Sequence, residues 1–298
     1  MLNFKAPTIE DRLWAQPILS SSGQLGCDCN FTTLFLWQHE YNIRICHYKD
    51  FVLRANEYDG KIVRYAFPVG NGDINDALSV VFEDAKERGI KPNFMLTEKM
   101  MMQLEEFIPN KYSYEEMRES NDYIYLASDL SELAGKKYHA KRNHISKFMR
   151  LYQWEYKELN KNNLKDAMQV AKIWCKQYNS TDTESFEGLS NEYCAIKTAA
   201  KYFEELNIVG GILYIEGNPV AMTMASPISN ECLDVHFEKA IPDIDGAYTM
   251  INNALAKNVS GYKYFNREED LGLEGLRKAK LSYYPEFLLQ KYKAIYHD

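Results

Sequence analysis

One ordered set of secondary-structure signals occurs twice along this chain, and that repetition limits the possible fold more than any other feature. In the first half the hydrophobic pattern predicts a short strand near Leu2–Lys5 and helices near Ile9–Leu19 and Thr32–His39. Three strands follow, near Ile43–Tyr48, Phe51–Asn56 and Lys61–Phe67, alternating between polar turns such as Tyr58-Asp59-Gly60. Asp73 then caps a helix whose apolar positions Ile74, Ala77, Leu78, Val81, Phe82 and Ala85 keep helical spacing. Gly89 ends it, ahead of a strand near Asn93–Leu96. The second half predicts a strand at Gln153–Leu159, helices near Leu164–Gln177 and Asn191–Leu206, and strands at Ile208–Ile215, Pro219–Ser226 and Cys232–Phe237. A helix capped by Asp245 and presenting Ala247, Met250, Ile251, Ala254 and Leu255 comes next. Gly261 breaks it before a strand near Tyr262–Phe265. Asp73 and Asp245 are 172 residues apart, and so are Gly89 and Gly261. Equal spacing of equivalent breakers points to two copies of one α/β domain. The expected boundaries are 1–134 and 153–298, joined by a helix over 135–152.

The composition suits such an architecture. With 46% hydrophobic and 26% charged residues over 298 positions, the chain can bury the cores of two ordinary domains. The 22 Tyr and 14 Phe predict an interior rich in aromatic packing. The N-terminal residues have acids and prolines where a secretion signal needs a basic end and an apolar run. The longest uncharged stretch, Leu13 to Cys27, is broken by Pro17 and three serines and is too short and polar to span a bilayer. A cytoplasmic location is therefore expected. In that compartment Cys27, Cys29, Cys46, Cys175, Cys194 and Cys232 are expected to be reduced. No second Cys or His pair stands at zinc spacing from Cys27-Asp28-Cys29, so no metal site is expected.

Charge is distributed unevenly. Lys136–Arg150, KKYHAKRNHISKFMR, holds six Lys/Arg and two His with no acid, in a chain of net charge −7. Helical spacing puts Tyr138, Ile145, Phe148 and Tyr152 on an inward stripe, with Lys137, Lys141, His144 and Lys147 mainly outside. With Lys136 and Arg142, that row is a candidate rail for the phosphates of RNA or of an anionic lipid headgroup; the alternative is a basic face paired with nearby acids. The strand Leu233–Glu238 alternates so that Asp234, His236 and Glu238 face one way. His236 with Glu238 or Asp234 is the candidate general base, the alternative being an ordinary polar strand face. In Asn266–Pro285, Arg267, Arg277 and Lys280 are candidates to hold a carboxylate or phosphate. Acids leading and bases trailing that helix also suit its dipole.

A three-strand meander followed by a helix and a strand is the order of the GCN5-type N-acetyltransferase fold. In that fold a basic, glycine-bearing loop at a helix N-terminus cradles a pyrophosphate. The corresponding loops here, VGNGDIND and IPDIDGAY, carry acids instead, which disfavours ordinary acetyl-CoA binding. The segments LAGKKYHAKRNHISKF, VHFEKAIPDIDGAYTMINNALA and YFNREEDLGLEGLRKAKLSYYP, with FTTLFLWQHEY, resemble a bacterial family of unknown function related to the C-terminal domain of phosphatidylglycerol lysyltransferases. The resemblance covers nearly the whole chain. It implies an α/β fold of the α+β type: two tandem acyl-CoA N-acyltransferase-like domains, each a mixed, largely antiparallel sheet flanked by helices. It also implies kinship with enzymes that move an aminoacyl group from charged tRNA to a lipid headgroup, and more distantly with peptidoglycan-bridge aminoacyltransferases. The expected function is aminoacyl or acyl transfer to a lipid or other amine or hydroxyl acceptor. No bound cofactor is expected, acyl-CoA or aminoacyl-tRNA serving as donor substrate. The alternatives are a non-catalytic module binding a phosphate-bearing ligand, or an acetyl-CoA-dependent N-acetyltransferase.

Overall fold

The computed structural model describes residues 1–178 and 183–297. In chain order its elements are α1 (Arg12–Ser21), α2 (Phe31–Leu36), β1 (Ile43–Tyr48), β2 (Phe51–Tyr58), β3 (Lys61–Tyr65), β4 (Val69–Gly70), α3 (Ile74–Arg88), β5 (Phe94–Thr97), α4 (Glu98–Phe107), β6 (Tyr112–Glu116) and β7 (Asp122–Leu126). There follow α5 (Ala127–Glu132), α6 (His139–Leu151), β8 (Trp154–Glu158), α7 (Leu164–Tyr178), α8 (Thr183–Lys201), β9 (Val209–Ile215), β10 (Asn218–Pro227) and β11 (Cys232–Ala240). The last are α9 (Ala247–Asn258), β12 (Tyr264–Asn266), α10 (Glu274–Leu281), β13 (Phe287–Leu289) and β14 (Lys291–Tyr296). The expected mixed architecture of largely antiparallel sheets flanked by helices is what forms, with the expected element order in each half. Leu2–Lys5 contributes only a single bridge, Lys5 to Ile45, α8 begins well before Asn191, and the structure adds α4, β6 and β7 after β5 and β13 and β14 after α10. No helix among the described residues is long and apolar enough to cross a membrane.

Two compact units result: Met1–Tyr123 with Glu268–Lys278 and Phe287–Asp298, and Ile124–Arg267 with Ala279–Glu286. They are cut differently from the contiguous domains read in the sequence. In the first unit the C-terminal strand β14 lies between β5 and β6, antiparallel to both. The end of the chain therefore belongs with its beginning. The basic segment 136–150 is part of the second unit.

In the first unit β1, β2 and β3 form the antiparallel meander, with β4 also on β2. The Asp73 carboxylate accepts the N–H groups of Asn75 (3.0 Å) and Asp76 (3.4 Å), capping α3 as its sequence predicts, an effect of about 1 kcal/mol. Gly89, at φ 69°, ends the helix in the left-handed conformation. Ala77, Leu78, Val81 and Ala85 form its buried face. In the same unit, Lys291 of β14 is buried against Asp122 (Nζ–Oδ1 2.8 Å), with the Cys27 sulfur at 3.7 Å. Burial alone would depress that ammonium, but Asp122, Cys27 and Asp28 around it hold its pKa well above the ordinary lysine value.

In the second unit the sheet runs β7-β12-β11-β10-β9-β8, antiparallel except for the β11–β12 pair. The meander β9-β10-β11, then α9, then β12 parallel to β11 reproduces the order read from the sequence. Phe148 of α6 packs with Leu213, Val220, Ala221, Ala240, Met250 and Ile251. It is wholly buried, so truncating it to Ala costs about 3–5 kcal/mol. Asp245 does not cap α9. The cap is Gly246 at φ 80°, and Asp245 instead pairs with Lys147 of α6. A Cβ on Gly246 would lie 3.1 Å from the His144 carbonyl oxygen and 3.3 Å from the Phe148 Cβ. Close approach of α6, together with the backbone angle, thus requires glycine there.

Candidate functional site

β10 and β11 pair with one irregularity, and it rearranges the chemistry read from the sequence. Met224 is opposite Phe237 and Ala225 is opposite Val235, so His236 is the extra residue of a β-bulge. Thr223 faces Glu238, while Ser226 faces Asp234. Directly opposed residues share a face, and positions 223 and 226 of one strand lie on opposite faces. Glu238 therefore projects from one side of the sheet and Asp234 from the other. His236 goes with Asp234: its Nε2 is 2.8 Å from Ser226 Oγ and its Nδ1 is 3.6 Å from Asp234 Oδ2. Both side chains are fully buried. The expectation that Asp234, His236 and Glu238 line one face fails because a single inserted residue inverts the alternation.

Glu238 is the member that enters a larger constellation. Its Oε1 accepts from Arg267 Nη2 at 2.8 Å and its Oε2 from Asn252 Nδ2 at 2.9 Å. Arg267 ends up here because β12 runs parallel to β11 and delivers it just past Asn266. Its guanidinium lies over two rings, Tyr283 at 4.9 Å and Tyr125 at 5.6 Å. Lys280 donates its Nζ to the Arg267 carbonyl, and Tyr125 donates its hydroxyl to the Lys280 carbonyl at 2.8 Å. These two bonds fix the backbone that presents Arg267. Burial alone would lower the Arg267 pKa, but Glu238, together with Tyr125 and Tyr283, outweighs it and raises the value.

Lys141 joins the group from α6. Its Nζ donates to Ser282 Oγ at 2.7 Å and stands 3.6 Å from the centre of the Tyr283 ring. Burial first, and then the nearby Arg267 charge, bring its pKa down to about 8, with Glu238 acting in the opposite direction. The expectation that Lys141 points outward is therefore corrected. A lysine stem is long enough to turn its amine inward from the border of the buried stripe.

Three polar atoms in this cluster are buried without a hydrogen-bond partner among the described residues: Arg267 Nη1, Asn252 Oδ1 and Thr223 Oγ1. The amide orientation of Asn252 is set by chemistry, since its Nδ2 must face the acceptor-only carboxylate of Glu238. A donor, an acceptor and a hydroxyl, unsatisfied beside one carboxylate, are costly to bury unless a polar group completes them.

The other residues singled out in the sequence go elsewhere. Lys137 pairs with Asp129 at 3.0 Å, and Lys147 pairs with Asp245. Arg142 donates to the carbonyls of Leu133 and Gly135, closing the turn after α5. Lys136 and His144 are exposed. Arg277 is bound in two places to the Asp270 carboxylate, at 2.9 and 3.0 Å, and belongs to the first unit. In that unit Cys27, Asp122 and Glu269 present atoms close enough to hold a cation, but the Lys291 ammonium is already bonded to Asp122. A positive charge thus reaches that group from the chain itself. Asn252, Tyr283, Tyr125 and Thr223 were missed in the sequence. For Asn252 a signal existed: the polar pair Asn252-Asn253 interrupts the otherwise apolar run Met250–Ala256, and Asn253 donates to the Leu130 and Ser131 carbonyls.

Residues 20–295 match the family described as phosphatidylglycerol lysyltransferase, C-terminal. The chain belongs to that family. A conserved protein of unknown function from Bacteroides thetaiotaomicron is 39% identical, each chain covering the whole of the other, with a TM-score of 0.93. L-PGS from Bacillus licheniformis shares the fold at TM-score 0.70 and 14% identity, over 99% of this chain and 94% of that one. The uncharacterized protein MYCGA3080 of Mycoplasmoides gallisepticum is 24% identical over 189 residues, 63% of this chain. The match spans 60% of that protein. As a phosphatidylglycerol lysyltransferase C-terminal domain by family, the chain has the framework of an acyltransferase. Glu238, Arg267, Asn252 and Lys141 sit on its central meander and the elements packed beside it.

Proposed function

We propose that this domain transfers an aminoacyl group from an activated ester, the 3′ end of an aminoacyl-tRNA, to a hydroxyl or amine acceptor. The observation that supports it most directly is the unsatisfied pair Arg267 Nη1 and Asn252 Oδ1 flanking the Glu238 carboxylate. An α-aminoacyl ester has the complementary groups three bonds apart. Its ammonium would donate to Asn252 Oδ1 and Glu238, and its carbonyl oxygen would accept from Arg267 Nη1. The same Arg267 donor would then meet the oxyanion as the carbonyl carbon becomes tetrahedral, a contribution typically worth about 10²–10³ in rate. Aminoacyl esters are already activated, so the reaction needs positioning and proton transfer more than a covalent intermediate. The exposed Lys136 and His144 are suited to meet donor phosphates through a salt-dependent interaction.

The test is a transfer assay with purified protein, tRNAs charged with each amino acid, and a mixture of lipid and soluble acceptors. Loss of aminoacyl ester above the blank, selective for some amino acids, is expected. Arg267→Met and Asn252→Ala should each reduce that rate by at least about tenfold, while His236→Gln, on the other face of the sheet, should retain it. Wild-type protein that discharges none of the tRNAs, or a full loss in His236→Gln with Asn252→Ala unaffected, would overturn the reading.

A further inference from the structure

We propose that the amine of Lys141 is the base that takes the acceptor's proton during transfer, an inference that rests on the transfer reaction proposed above. In the segment 136–150, Lys137 and Lys147 each face a carboxylate, as surface ammonium groups commonly do. Lys141 has no carboxylate within ion-pair distance among the described residues. Its Nζ instead has the Ser282 hydroxyl and the face of Tyr283, and the Arg267 guanidinium lies over that same ring. Ser282 Oγ in turn donates to the Ala279 carbonyl, leaving its lone pairs for the amine. The hydrogen bond and the ring hold the amine beside the Tyr283 ring that it shares with Arg267, whose Nη1 is one of the unsatisfied atoms.

The groups that face Lys141 can be named element by element. β11 contributes Glu238, the end of β12 Arg267, and the segment after α10 Ser282 and Tyr283. One turn earlier is Lys137, neutralised by Asp129 of α5. α9, packed on α6, has only Tyr248 and Lys257 as titratable side chains. Burial and Arg267 prevail over Glu238, and the pKa falls to about 8. At pH 7.5 about a quarter of such an amine is unprotonated, against about one part in a thousand for an ordinary lysine. A base poised near the working pH is the condition for efficient proton transfer.

The step balances simply. The acceptor O–H or N–H gives its proton to Lys141 Nζ as the acceptor heteroatom bonds to the acyl carbon. The bond from that carbon to the donor ribose oxygen breaks, and the Lys141 ammonium returns the proton to the leaving alkoxide. A residue serving only as a cation for donor phosphate would be replaceable by arginine, which keeps the charge but cannot titrate.

Two measurements separate these roles. In the first, transfer from a turned-over aminoacyl-tRNA is followed from about pH 6 to 9 for wild type, Lys141→Arg and Lys141→Met. Wild-type kcat should rise through a titration near 8, and both variants should lose about 10²-fold or more in kcat together with that limb, at unchanged donor KM. Arginine that restores the wild-type rate, or a limb that survives in Lys141→Met, overturns the proposal. In the second, competitive labelling of wild type with acetic anhydride across the same pH range, read by peptide mapping, requires no donor. Lys141 should reach half-maximal reactivity near pH 8, well below the other lysines. If it titrates with the bulk lysines, the proposal fails whatever the activity. If it titrates low but no charged tRNA is discharged, the transfer reading fails and the catalytic role of Lys141 falls with it.

Discussion

The Arg267–Glu238 pair provides the sharpest quantitative test of how the second unit is held together. Their side chains are 12% and 11% exposed and meet at 2.8 Å. Arg267→Met leaves the Glu238 carboxylate buried with only the Asn252 amide, and removing one member of such a pair costs about 3–5 kcal/mol. Glu238→Gln should cost less, about 2–3 kcal/mol, for two structural reasons. The glutamine oxygen can still accept from Arg267, and the Tyr283 and Tyr125 rings keep a cation–π attraction of about 1–2 kcal/mol. The double variant contains neither buried charge. It should be destabilised by only about 2–4 kcal/mol, leaving a coupling energy of about 2–4 kcal/mol in the direction of a milder double variant. Urea unfolding at pH 7, followed by far-UV circular dichroism on all four proteins, gives the cycle. Free-energy changes that add to within about 0.5 kcal/mol would show that the two side chains do not act as a buried pair, and the geometry assigned to the site would be refuted.

Two further outcomes concern the first unit. Lys291→Met strands the buried Asp122 carboxylate and should cost about 3–5 kcal/mol in the same unfolding assay, an unchanged midpoint being the contrary result. The second concerns acid. The Asp270 carboxyl is buried, which works against its charge, but Arg277, the Tyr123 hydroxyl and the Gly272 N–H hold its pKa well below the usual range. A depressed folded-state pKa adds stability that is fully present above the unfolded value, near 4, and is lost as pH falls through the folded value. The urea midpoint should therefore fall steeply below about pH 4, and less steeply in Asp270→Asn, whereas parallel curves would remove Asp270 from the account.

Local signals proved legible wherever the structure resolves them locally. The Asp73 cap, the Gly89 stop and the buried stripe of α3 depend on residues within a turn or two of one another. Asp245 carries the same local signal but has a nearby competitor in space: Lys147, 98 positions earlier, takes its carboxylate, and the α6 backbone forces Gly246 into the cap position. The site shows the same division. Glu238, Arg267 and Lys141 could be picked out by residue type, yet their grouping depended on β12 pairing parallel to β11 and on α6 packing against α9. Tyr283 and Thr223 had no signal of type or spacing to mark them.

Hydrophobic periodicity and breaker residues reveal the repeated element order and the α/β class from the chain alone, because each depends on contacts between near neighbours, while the family likeness was carried by whole segments of sequence. Which side chains share a face of β11 was decided only in three dimensions. One extra residue in the pairing of β10 with β11 sends His236 and Asp234 to one side and Glu238 to the other. Register is a property of two strands together, so no single strand's alternation could have shown it.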